Sequence, residues 1–215
     1  MIAGGGAALF SAESAGSGLL RSEIETLKAA LAKADAPEAE RHDNCVRLGR
    51  LLRLSGDAEG AAAAWMEAAY AEKGKRDDDA LLEGAACLMS IGEWDKADAG
   101  IKVALLTVRN RKDVVFKARY LAALLEAFRN GNERILVELA ADDDFKSAAP
   151  AIFLTLWKLS GKDEYAAKLV KDYPESPEAR AAAEKPGKNR VVDAAALQWF
   201  LHPGRESIIF DLPPP

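Results

Sequence analysis

Two histidines and two cysteines are the whole supply of imidazole and thiolate ligands in these 215 residues. His42 and His202 lie far apart, and neither has a partner at metal-ligand spacing. Cys45 and Cys87 have no Cys or His neighbour at motif spacing, so they make no zinc or disulfide framework. Each falls among apolar residues of a predicted helix. Buried free thiols are the expectation, and a disulfide between neighbouring first helices is the alternative. β-branched residues are few, which argues against a large sheet. No stretch approaches 18 consecutive apolar residues, so no integral membrane segment is expected. Basic charge is not in excess: 29 Lys and Arg stand against 34 Asp and Glu, for a net charge of -5. Nucleic-acid binding, which needs a basic face, finds no support there. The Gly4–Gly6 run lacks the lysine of a phosphate loop. Asp142–Asp144 lacks the glycine and distal glutamate of a calcium loop, and reads, like Asp77–Asp79, as a solvated turn. No metal, no cofactor and no catalytic constellation is therefore expected. An enzyme stays open only as a third reading, which a deep pocket with converging acids would revive.

Alanine is abundant, and hydrophobic residues make up 49% of the chain. Alanine is the strongest helix former and lets helices approach closely. A helical hairpin pattern recurs, with clear copies at Leu48–Gly74 and Gly84–Asn110 and looser ones at Tyr120–Ala140 and Ile152–Ala179. The turn glycines Gly56, Gly92, Gly131 and Gly161 are spaced by 36, 39 and 30 residues. Such a period predicts an all-α fold of stacked antiparallel helix pairs.

The first helix is expected over 19–34, with Leu20, Ile24, Leu27 and Leu31 on one stripe. Pro37 separates it from a helix over 38–54, with Cys45, Leu48, Leu51 and Leu52 inward. Asp57 is placed to cap a helix over 58–72. Further helices are predicted over 79–91, 94–107, 114–129, 132–141, 149–159, 163–171 and 178–185. Ser147 is placed to cap the 149–159 helix, with Pro150 in its first turn. A final amphipathic helix over 191–200 reads as a cap, with Trp199 inward.

The repeats resemble the tetratricopeptide family. The best unit starts at His42: Leu48-Gly49 matches the family's Leu-Gly pair, Ala61 and Ala68 its packed alanines, and Trp65 the aromatic between them. A second starts at Asp78, with Ala85 where glycine is usual, then Trp94, Ala97, Ile101 and Ala104. Tyr173-Pro174 with Glu178-Ala179 looks like a boundary between units. The resemblance implies a right-handed superhelix over about 19–185, whose first helices line a concave groove for a peptide or protein segment. Its inward positions fall at Arg47, Arg50 and Arg53, at Leu82, Glu83, Ala86 and Met89, at Leu121, Leu125, Phe128 and Arg129, and at Thr155 and Lys158. Independently, Arg47, Arg50 and Arg53 recur every three residues on one helix face, and like charges so placed are costly unless solvated or answered by an anion.

The first reading is thus a protein-interaction module or scaffold whose unidentified partner has an acidic segment. Homo-oligomerisation through an apolar end is a further possibility. The second reading is a structural adaptor of a bacterial cell-envelope assembly. It rests on residues 1–18, small and glycine-rich as a flexible leader or signal-peptide remnant would be, and on the proline-rich tail within 186–215. Periplasmic or envelope-associated placement follows from that reading, and a cytoplasmic one from its failure.

Overall fold

The computed structural model describes residues 6–33, 35–108 and 111–183. Ten α-helices and one 3-10 turn occur among them, with no strand. The helices are α1 (Gly6–Leu31), α2 (Glu38–Leu54), α3 (Ala58–Ala69), α4 (Asp78–Ser90), α5 (Trp94–Thr107), α6 (Lys112–Asn130), α7 (Glu133–Ala141), α8 (Ala149–Ser160), α9 (Asp163–Asp172) and α10 (Pro177–Ala183). The 3-10 turn covers Asp143–Phe145. The cap helix expected over 191–200, with Trp199, and His202 and the proline-rich tail lie outside the described residues. The chain divides into two compact units, residues 1–87 and 88–215, with the division inside α4.

In the first unit, consecutive helices pack on one another: α1 on α2, and α2 on α3. The α1 stripe is as expected, with Ile24 and Leu27 buried and Leu20 and Leu31 half-buried. The helix begins at Gly6, however, well ahead of the expected start at 19. Alanine at 7, 8, 12 and 15 favours that extension, because it loses no side-chain entropy in a helix. Asp57 caps α3 as predicted, accepting from the Gly60 N–H at 2.8 Å. Gly56 turns the chain between α2 and α3 at φ +83°, where a side chain would be strained.

The crossing of α2 and α3 rests on one close approach. A Cβ on Gly49 would lie 2.8 Å from the Trp65 indole, so the ring sits directly on the α2 backbone. Ala61 and Ala68 are fully buried in the same layer. On the other side of α3, it is Gly84 that makes room, not Ala85: a Cβ there would lie 2.9 Å from Met66 Sδ. Cys45 and Cys87 are buried free thiols.

In the second unit, packing again runs between neighbours: α5 with α6, α6 with α7, α7 with α8, α8 with α9, and α10 against both α8 and α9. Gly92, Gly131 and Gly161 all adopt positive φ at the turns predicted for them. Ala97, Ile101 and Ala104 are buried along α5. The α6–α8 core is bulkier, with Tyr120, Leu121, Leu124, Leu136, Ile152 and Leu156 fully enclosed. Pro150 falls in the first turn of α8, but the cap is Ala148 without a side-chain bond, and Ser147 does not serve. Asp142–Asp144 is a turn, as expected, with Asp143 and Asp144 exposed. Asp142 opens the 3-10 turn by accepting from the Asp144 N–H at 3.0 Å. That turn drives Phe145 into the interior, stacked on Phe116 with ring centroids 4.3 Å apart.

Candidate interaction surface

The three arginines of α2 share a face, as their spacing requires, but they are not equivalent. Arg47 reaches back to α1, where it donates to Glu23 at 2.6 Å. Arg53 donates to Glu83 of α4 at 2.8 Å, with both side chains largely shielded, at 14% and 10% exposure. A charge-assisted bond in that setting is stronger than one in open solvent. Arg50, between them, is exposed and has no ion pair among the described residues. The face is therefore one solvated cation flanked by two neutralised ones. Arg53 and Glu83, chosen from separate units of the repeat, meet in space. The pairs are separated by 24 and 30 residues in the chain, which helical periodicity does not register.

α2 and α4 run in the same sense. Near its start α2 presents His42, which meets Asp77 just ahead of α4, and near its end it presents Arg53, which meets Glu83 within α4. Parallel first helices are what the repeat pattern requires of this unit. His42 is held at 20% exposure between two carboxylates. Leu82 and Ala86 are buried, and Met89 is only 1% exposed, so these side chains offer no surface to a ligand.

In the second unit the predicted positions also divide. Leu121 and Leu125 are core residues, while Phe128 is half-buried. Arg129 is exposed and pairs with Asp95 at 2.9 Å. Thr155 is fully buried, its hydroxyl donating to the Ala151 carbonyl at 2.8 Å. Lys158 lies over the Trp157 ring, 5.1 Å from its centroid. Residues the repeat pattern missed extend this lysine-on-aromatic arrangement. Lys168 lies over Phe153 at 5.3 Å, and Lys162 lies near Tyr165 while bonding Glu133 at 2.9 Å.

Burial pushes the Cys45 thiol up to about 11, which keeps it protonated and unreactive at neutral pH. Burial likewise raises the Tyr120 phenol, outweighing an opposing contribution from Thr155. The Arg119 guanidinium holds the Asp142 carboxyl below its ordinary range. No described helix is long and apolar enough to cross a membrane. Residues 121–207 match a family described as TP_0752_M, middle domain, a stretch that begins in α6 and takes in α7 to α10. No curated protein and no solved structure matches the chain.

Proposed function

We propose that the chain is a non-catalytic protein-interaction module or scaffold built from tetratricopeptide-like helix pairs. In this reading an acidic peptide or protein segment lies along the first-helix face of the 1–87 unit, with Arg50 as its principal charged contact. The observation that carries the reading is the isolation of Arg50: both neighbouring arginines have glutamates of their own, and this one does not. A solvated cation with no carboxylate of its own among the described residues can answer an incoming one. Phe128, Arg129 and Lys158 form a separate set of candidate contacts in the 88–215 unit, where a half-buried ring and cations over aromatics combine apolar and charged character.

Arg50→Glu is the informative change. It reverses the exposed charge without disturbing a folded-state partner, whereas replacing Arg53 would take a charge-assisted bond from the shielded Glu83 carboxylate. Binding to a panel of acidic peptides, read by fluorescence anisotropy, should weaken by about fivefold, the value of an exposed ion pair of about 1 kcal/mol. Unchanged binding by a variant with an intact helical circular dichroism signal would remove Arg50 from the interface.

A further inference from the structure

We propose that His42 is a proton-operated latch in the 1–87 unit: its imidazolium clips α2 to the cap of α4, and loss of that proton loosens the clip. Both ring nitrogens face carboxylate oxygens. Nε2 lies 2.9 Å from Asp77 Oδ2 and Nδ1 lies 3.1 Å from Asp43 Oδ1. A neutral imidazole carries one N–H and can donate to only one of them; its other nitrogen would then turn a lone pair toward a carboxylate. Only the protonated ring satisfies both contacts, so the geometry itself selects the charged form.

Asp77 makes the contact matter beyond one residue. Its second oxygen, Oδ1, accepts from the Asp79 N–H at 2.9 Å and the Ala80 N–H at 3.1 Å, closing the first turn of α4. Its own N–H donates to the Ala69 carbonyl at the end of α3 at 3.0 Å. One aspartate thus gathers α3, α4 and, through His42, α2. The charged neighbours are mostly committed elsewhere. Glu38 accepts from the Lys73 N–H, Arg41 bonds Glu67 of α3, and Arg76 pairs with Asp78 at 2.6 Å. Asp43 is 79% exposed and Asp77 only 31%, so solvent screens the first contact far more than the second.

The titration behaviour agrees in sign. Burial alone would depress His42, but hydrogen bonds and charge from Asp77 and Asp43 outweigh it and raise the group above its ordinary 6.5. Asp77 is held below its ordinary 3.8, because the bonds from His42, Ala80 and Asp79 overcome its own burial. Stability from His42 is therefore fully present below pH 6.5 and is lost as pH rises through its elevated folded value. Stability from Asp77 is present above pH 3.8 and is lost as pH falls through its depressed folded value. The latch is closed between those two limits.

The test is an NMR pH titration of the imidazole resonances in the full chain, with His202→Asn used to assign them. The His42 midpoint should lie above 6.5. Asp77→Asn, which keeps a cap acceptor for α4, should lower it by roughly one pH unit, and Asp43→Asn should lower it less. A midpoint at or below 6.5, or equal effects of the two substitutions, would overturn the proposal. Thermal unfolding gives an independent reading. The Tm difference between the parent protein and His42→Gln should be on the order of 2–4 °C at pH 5.5 and shrink by pH 8.5. A difference that does not change with pH would also overturn it, and the NMR titration of the parent protein decides the matter even if His42→Gln folds poorly.

Discussion

Compare the α2–α3 crossing of the 1–87 unit with the α6–α8 core of the 88–215 unit. The first is made by leaving atoms out: Gly49 clears a seat for the Trp65 indole, and Ala61 and Ala68 let the helices close around it. The second is made by filling: Tyr120, Leu124, Phe145, Ile152 and Leu156 are all enclosed, and no glycine is needed at the contact. Both regions contain a helical hairpin turned by a glycine at positive φ, Gly56 in the first and Gly131 in the second. The same connection can therefore be supported by two kinds of packing. Small-residue packing is intolerant, because a glycine under an aromatic ring has one acceptable occupant. Large-residue packing is tolerant, because interlocking side chains can exchange volume with their neighbours.

That contrast can be broken at its strongest point. Trp65→Ala removes the indole around which the first crossing is built and should destabilise by about 3–5 kcal/mol in urea unfolding. Gly49→Ala should also destabilise, since its methyl meets a ring that is itself only 4% exposed. In a Trp65→Leu background the same Gly49→Ala change should become neutral or stabilise by up to about 1 kcal/mol, because only the helix propensity gain is left. A strictly additive cycle would mean that the ring and the glycine are not one contact.

A smaller effect separates the interior of a helix from its fringe. Ala97 is fully buried on α5, whereas Ala71 lies beyond the end of α3 and is half-buried. Ala97→Leu should cost about 1–3 kcal/mol by overpacking, and Ala71→Leu clearly less. The reverse order, measured by the shift in urea midpoint, would show that buried alanine does not mark the tight contacts.

The two packing styles also explain what could be read in advance. Turn glycines and the Asp57 cap depend on backbone conformation within a few residues, so Gly56, Gly92, Gly131 and Gly161 were legible, as were the limits of α2. The repeat signature is a register of small residues; it is plain at Gly49, Ala61 and Ala68 and fades where bulk replaces it. Phe145 was missed because three aspartates precede it and its partners, Phe116 and Arg119, come from a different helix. Of the candidate surface, the shared face of Arg47, Arg50 and Arg53 followed from spacing. The glutamates that leave Arg50 alone did not, because each is supplied by another helix. Periodicity tells which residues share a face, not what faces them.

The smallest effect sharpens the comparison from the opposite side. If both regions use the same turn and differ only in packing, their turn glycines should respond alike. Gly56 sits at φ +83° and Gly131 at φ +66°, and a Cβ at either would meet nothing within 4 Å. Steric contact is thus removed from the question, and backbone conformation is what a substitution would test. Alanine at either position should cost about 1–2 kcal/mol, the penalty for a left-handed backbone in an L-residue. Gly131→Asn should recover part of that loss, since a short polar side chain tolerates this region better. Urea unfolding of Gly56→Ala and Gly131→Ala should therefore give similar losses despite the unlike cores on either side. A full penalty at Gly56 with none at Gly131 would show that the second unit bends without relying on its glycine, and that the shared hairpin is a likeness of outline rather than of mechanism.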